Sequence, residues 1–240
     1  MSETSQTVSS NLPNINTSYN FGNFDPSNLD VEETVNVVVL IDTSVSMADK
    51  ESILNDEIRF LIEACQHMHQ APKIMVSTGR FDSSIEVLTG FQPVSNITPP
   101  HFTPNGGATK LYEACHEFLK NAVAQHQRAL DAGLSNKTIF FVLTDGADNA
   151  SASGSAKAVK DLITYMMTDE SAVGTFISIL CGIGNPSIFE NAQKEMGIQK
   201  LHVIDNTADE KTNRRELKKV IGILSQSISS ASTKPGPLVF

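Results

Sequence analysis

Residues 35–41, VNVVVLI, form an apolar run broken only by Asn36 and ending at Asp42. A strand with one wet face alternates apolar and polar side chains. A run that is apolar on both faces belongs to a strand covered on both sides, as in parallel sheets sandwiched between helices. This one segment therefore predicts an α/β layer fold rather than a sandwich or a bundle.

The pattern repeats along the chain. Leu54, Ile58, Leu61, Ile62, Cys65 and Met68 recur at helical spacing, and Pro72 closes that helix. Residues 73–81 and 85–89 read as strands joined by Asp82-Ser83-Ser84, a link short enough for an antiparallel hairpin. A long loop is expected over 91–108, with four prolines and the Gly106-Gly107 pair. A helix from about Thr109 (Leu111, Cys115, Phe118, Ala122) leads to a strand at 138–143. Val159, Leu162, Ile163 and Met166 mark a further helix, followed by a strand at 173–181, a helix at 186–196 and a short strand at 201–204. Leu217, Val220, Ile221, Leu224 and Ile228 mark the last helix. Alternation of this kind implies a mostly parallel, doubly wound sheet with helices on both faces.

Two polar ends flank the domain. Residues 1–34 are rich in Ser, Asn and Thr and contain no Lys or Arg, so they are expected to be a disordered acidic leader. The alternative is local docking through Tyr19, Phe21 and Phe24. The domain is expected over 35–231 and a tail over 232–240. The net charge of −9 excludes phosphate-backbone binding as the main task, so no nucleic-acid partner is expected. No stretch approaches the roughly 20 apolar residues of a membrane span, and the first residues lack a secretory pattern, so a cytoplasmic chain is expected. Cys65, Cys115 and Cys181 have neither disulfide nor zinc spacing.

In doubly wound folds ligands bind at the carboxyl ends of strands. Three polar groups fall there: Asp42, Ser44 and Ser46 after the first strand, Thr109 after the glycine pair, and Asp145 after the 138–143 strand. Two carboxylates and three hydroxyls are hard oxygen donors, which suit Mg²⁺ or Mn²⁺. Each piece alone has a plainer explanation, since Asp and Ser favour turns and helix caps, and Ser46 or Asp49 is a candidate cap for the first helix.

IDTSVSM, GGATKLYEA and FVLTDGADN resemble the three parts of the metal-ion-dependent adhesion site of von Willebrand factor A domains. The resemblance covers residues 35–230. It implies a six-stranded sheet with one antiparallel edge strand, here residues 85–89. It implies Ser44, Ser46 and Thr109 as direct ligands, with Asp42 and Asp145 binding directly or through water. The motif style is similar to intracellular bacterial or phage A domains, including tellurium-resistance ones. Val45 stands where that family often has Gly.

Enzymatic rivals are weaker. Asp42 lacks the second Asp two residues on that a haloacid-dehalogenase nucleophile needs, since Ser44 stands there. Gly182-Ile183-Gly184 has Ser187 in place of the third Gly of a dinucleotide fingerprint. Ser44 or Ser46 as a nucleophile needs a positioned base, and among the histidines only His101 lies in a loop near the site. Lys211, Arg214, Arg215, Lys218 and Lys219 form a basic stretch that reads as a solvated helix face or a contact for an acidic partner. The expectation is a divalent-cation-dependent protein-binding module, not an enzyme, whose metal accepts an Asp or Glu carboxylate from a protein partner. Its alternatives are an assembly protein whose metal only braces the loops, and a hydrolase.

Overall fold

The computed structural model describes residues 13–168, 175–205 and 210–233. Six strands form one sheet in the order β3-β2-β1-β4-β5-β6. They are β1 Glu33–Asp42, β2 Ile74–Phe81, β3 Ile85–Pro93, β4 Ser135–Thr144, β5 Phe176–Ile183 and β6 Lys200–Ile204. All pair in parallel except β3, which runs antiparallel to β2 at one edge. The helices are α1 Glu51–Gln66, α2 Leu111–Asp131, α3 Ser155–Thr168, α4 Pro186–Met196 and α5 Glu210–Thr233. The doubly wound architecture and the antiparallel edge expected from the sequence are both present.

The continuous apolar runs are explained by the two layers. Val35, Val37, Val39 and Ile41 point to one face, where α1 and α5 pack with Leu54, Ile58, Leu61, Val220 and Leu224. Val38 and Leu40 point to the other, where α2, α3 and α4 pack with Phe118, Leu162, Ile163 and Phe189. From Thr34 to Asp42 every residue of β1 is buried, and β4 is buried from Asn136 onward. Each large side chain withdrawn from water contributes about 1.5–3 kcal/mol, so both faces of these central strands drive the fold.

Boundaries differ from the expectation where polar residues extend a strand. β1 takes in Glu33, Thr34 and Asp42, and β4 begins at Ser135, because ladder hydrogen bonds to neighbours continue past the apolar run. β3 continues to Pro93, with a register irregularity opposite Val76–Gly79, so residues 91–93 belong to the edge strand and not to the long loop. β5 is described from Phe176; Val173, expected at its start, lies outside the described residues. The remainder of the loop is anchored to the body. Val94, Ile97 and Phe102 are buried in the α1 face. Asn55 donates to the Phe102 carbonyl (2.8 Å) and accepts from the Phe102 amide (2.7 Å), and Gln66 donates to the carbonyls of Val94 (3.0 Å) and Ile97 (2.8 Å).

The expected disordered leader is corrected over residues 13–32. Phe21 is 6% exposed and meets Phe118 edge-on, with ring centroids 4.8 Å apart. Its carbonyl lies so close to Gly90 of β3 that no side chain fits there. Tyr19 and Phe24 pack against the same α2–α4 layer. Thr17 donates to Glu117 (2.5 Å), and Lys120 donates to the Asn16 carbonyl (2.8 Å). One aromatic side chain in a prepared slot outweighs the polar composition around it. Residues 1–12, and the tail beyond Thr233, lie outside the described residues.

Candidate metal centre

β1 and β4 are neighbours, yet their flanking strands run off to opposite sides, so the crevice beyond their carboxyl ends is the topological switch point. Asp42 ends β1 and Thr144 ends β4, with Ile41 paired to Leu143 just before them. The Thr144 hydroxyl donates to Asp42 Oδ2 (2.6 Å), and the Ser44 amide donates to Asp42 Oδ1 (2.8 Å). Asp42 is fully buried. Burial raises its pKa above the ordinary carboxylate value and the Asp145 charge adds to this, while the bonds from Thr144 and Ser44 pull the other way.

After Asp42 the chain curls over the end of the strand. Residues Val45–Lys50 form a 3-10 helix, so neither Ser46 nor Asp49 caps α1. Ser44 and Ser46 hydroxyls lie 3.0 Å apart, and Ser46 donates to Asp145 Oδ1 (2.7 Å). Val45 takes an ordinary φ, since no described non-glycine residue has a positive φ, and its side chain is 64% exposed. Its amide donates to the Gly106 carbonyl (2.8 Å), which ties the first loop to the glycine pair. Gly106 has no freedom to be anything else, because the Asp82 side chain occupies the space of its missing Cβ.

Thr109 is brought to the same crevice, with its hydroxyl beside Gly146, the residue after Asp145. Its position is fixed from the β4–α3 loop. Asn149 accepts from the Thr109 amide (2.8 Å), Asp148 from the Tyr112 amide (3.2 Å), and the Ser151 hydroxyl from the Glu113 amide (3.0 Å). Asp148 and Ser151 thereby satisfy open amides in the first turn of α2, and Asn149 holds the residue just before its cap. Sequence reasoning took Asp148 and Asn149 only as part of a motif and did not see this role. Their acceptors sit 36 and 40 residues from the amides they serve, so no local spacing signals the pairing.

Lys50 was also missed. Its ammonium donates to the Ser46 carbonyl (3.0 Å), to Asp145 Oδ2 (3.1 Å) and to Asp49 Oδ1 (2.7 Å). Burial pulls the Lys50 pKa down, but the hydrogen bonds and charges of Asp49 and Asp145 outweigh it, and the net shift is upward. The only sequence signal was a lysine beside Asp49, which reads as a local surface pair.

The structure thus joins Asp42, Ser44, Ser46 and Asp145 in one hydrogen-bonded crevice and sets Thr109 at its side. Among the described residues no group of three or more His, Cys, Asp or Glu side chains is arranged to hold a metal ion. A cation here would rest on two carboxylates and three hydroxyls. That all-oxygen donor set fits Mg²⁺ or Mn²⁺ and lacks the nitrogen and sulfur that zinc prefers. His101 lies outside this set, 3.4 Å from Glu51. The three cysteines are buried, and burial pushes the thiols of Cys65 and Cys181 up to about 12, so they pack rather than react. Gly182 and Gly184 make a tight turn into α4, with Phe189 filling the space a side chain at Gly182 would need. Among the described residues no helix is long and apolar enough to cross a membrane.

The sequence matches no protein-family model and no curated protein. Solved structures do match. Proximal thread matrix protein 1 from the mussel byssus superposes with a TM-score of 0.54 at 15% identity, over 82% of this chain and 48% of that one. That protein has also been solved with a zinc-occupied metal-ion-dependent adhesion motif. The pilus adhesin SpaC from Lactobacillus rhamnosus GG gives 0.55 at 12% identity, over 83% of this chain and 31% of the adhesin. The SpRpn10 VWA domain gives 0.50 at 12% identity, over 78% of this chain and 95% of that domain. The chain spans about half or less of the first two proteins and matches the third over nearly its whole length. At such identities the likeness is one of architecture, and by that measure the chain has the fold of a von Willebrand factor type A domain.

Proposed function

We propose that the chain is a divalent-cation-dependent protein-binding module, with Asp42, Ser44, Ser46, Thr109 and Asp145 holding Mg²⁺ or Mn²⁺ in a complete adhesion-type site. The observation that carries this reading is the makeup of the crevice: the Asp42 and Asp145 carboxylates and the Ser44 and Ser46 hydroxyls are linked at the switch point, with the Thr109 hydroxyl beside Gly146. Two carboxylates do no more than balance a divalent cation, and the neutral hydroxyls donate weakly, so a bound ion keeps Lewis acidity toward an anionic oxygen. The visiting ligand is an Asp or Glu carboxylate of a protein partner, and the loops over 94–108 and 147–154 frame its approach.

Two further points support the reading. The mussel protein, which shares this architecture over about half its length, has been solved with its adhesion motif occupied by zinc, a divalent ion. The hydroxyls of Ser44 and Ser46 bond to each other and to Asp145, not to a histidine base, which favours binding over hydrolysis. A cytoplasmic setting and the likeness to tellurium-resistance A domains rest on the sequence alone.

Affinity capture from a native lysate tests the proposal, run with Mg²⁺, with chelator, and with the Asp42→Ala and Thr109→Ala chains. A partner retained only with Mg²⁺ and intact Asp42 supports it. A partner retained equally in every condition turns the site into a loop brace, and phosphatase or nucleotide turnover abolished by Asp42→Ala makes the chain an enzyme.

A further inference from the structure

We propose that Lys50 is the resident cation of this crevice, and that a divalent ion enters by displacing its ammonium from Asp145 onto Asp49. The inference rests on the metal-binding reading above and concerns how that site is filled.

An ammonium has three N–H donors and no acceptor. Lys50 finds one acceptor for each: the Ser46 carbonyl, Asp145 Oδ2 and Asp49 Oδ1. The two carboxylates it holds lie in different surroundings. The Asp145 side chain is 5% exposed and faces the crevice, whereas that of Asp49 is 76% exposed at the surface. Lys50 therefore stands between an inner and an outer carboxylate.

Both oxygens of Asp145 are already engaged, Oδ1 by the Ser46 hydroxyl and Oδ2 by Lys50. These two donors are not equivalent toward an incoming cation. The Ser46 hydroxyl can turn its proton away and present a lone pair, so it passes from donor to ligand without leaving. The ammonium has no lone pair to present and repels a second positive charge at short range. Of the groups on Asp145, Lys50 is the one that has to give way. Asp49, already 2.7 Å from the nitrogen, receives it without the charge being stranded.

The arrangement has two consequences. Without a metal the inner carboxylate is neutralised and the first loop is braced, because the same ammonium ties Asp145 to the Ser46 carbonyl. Metal affinity is set by a competition, which a monovalent ion loses more readily than a divalent one.

The test uses the full chain and Mn²⁺ alone as the probe. Calorimetric titration of the wild type and of Lys50→Met should show about tenfold tighter binding in the variant, since the competitor is gone. In parallel, the wild type is treated with an amine-acylating reagent in chelator and in Mn²⁺, and modification of each lysine is read by mass spectrometry. Lys50 should become more reactive with Mn²⁺, while Lys157, exposed and paired on α3 with Asp161, should not change. Equal affinities with unchanged Lys50 reactivity overturn the displacement and leave the metal site standing. A tighter Lys50→Met with unchanged Lys50 reactivity also overturns it, reducing Lys50 to a distant repulsion. Absence of Mn²⁺ binding in both proteins overturns the inference together with the metal reading. If Lys50→Met does not fold, the wild-type acylation decides alone: increased reactivity supports the displacement, and no change overturns it.

Discussion

Strands β1 and β4 carry a buried polar cluster at each end, and the two clusters are built on opposite plans. At the carboxyl end are Asp42 and Thr144, followed by Ser44, Ser46 and Asp145 in the loops. At the amino end Asn136 is a hub. It accepts from Asn36 (3.3 Å) and Thr138 (3.1 Å), lies 2.9 Å from the His126 ring nitrogen, and donates to Thr34 Oγ1 (2.8 Å). The amino-end cluster is built around amides and hydroxyls and closed over by protein, with Asn36, Asn136 and His126 all buried, and the buried ammonium at that end, Lys137, is paired with Glu33 (3.1 Å). The carboxyl-end cluster contains two carboxylates, faces a crevice, and has one lysine among its partners. Buried polar groups alone therefore do not mark a site. Among the described residues, the carboxyl end combines clustered carboxylates with an open approach, and that makes it the candidate.

The largest expected effect lies at the closed end. Asn136→Ala removes the hub from several buried partners and should cost about 4 kcal/mol in denaturant unfolding while leaving the response to Mg²⁺ unchanged. A loss of that response would mean that the two ends are not independent. Next comes Asp42→Ala. Saturating Mg²⁺ at about 100 times its dissociation constant should add about 2.7 kcal/mol to the wild type and nothing to the variant, as read from melting curves with metal and with chelator. Identical wild-type and Asp42→Ala curves would make both ends merely structural.

A matched pair then sharpens the contrast. Thr144→Val deletes a hydrogen bond to a carboxylate and should cost about 2 kcal/mol without metal, whereas Thr138→Val deletes one to an amide and should cost about 1 kcal/mol. Equal losses would show that the charge of Asp42 is not felt by its neighbours. The smallest effect belongs to Thr109→Ala, which should leave the metal-free melting temperature nearly unchanged and reduce the Mg²⁺ stabilisation by about 1 kcal/mol. An unchanged response would remove Thr109 from the ligand set.

The two ends also differed in how far the sequence revealed them. The carboxyl-end residues follow apolar runs that stop at Asp42 and Thr144, so strand ends and candidate ligands coincide in the sequence. The amino-end hub was invisible, because Asn36 looked like a single interruption and Asn136 lay outside the expected strand; they meet across 100 residues. The helices were legible from their apolar spacing, and α4 falls where Pro186 and Gly197 bracket it. Asn55, Gln66, Asp148 and Asn149 act on distant backbone, and nothing in their own neighbourhood announces it. Over residues 13–32 average composition pointed to disorder, while the alternative of docking through Tyr19, Phe21 and Phe24 matches the packing against α2.

The order of the strands has a consequence in time. β1 finds β2 soon after one helix, but its other neighbour is β4, and Asp42 and Thr144 are 102 residues apart. Closing such a separation is slow compared with forming a helix or a hairpin. Until β4 arrives, one flank of a strand with a long apolar run is an unpaired row of amides and carbonyls, open to any extended segment nearby. A nascent or truncated chain that stops short of β4 has the DTSVS segment in full but nothing for it to close against. It is sticky along an edge that the finished sheet covers.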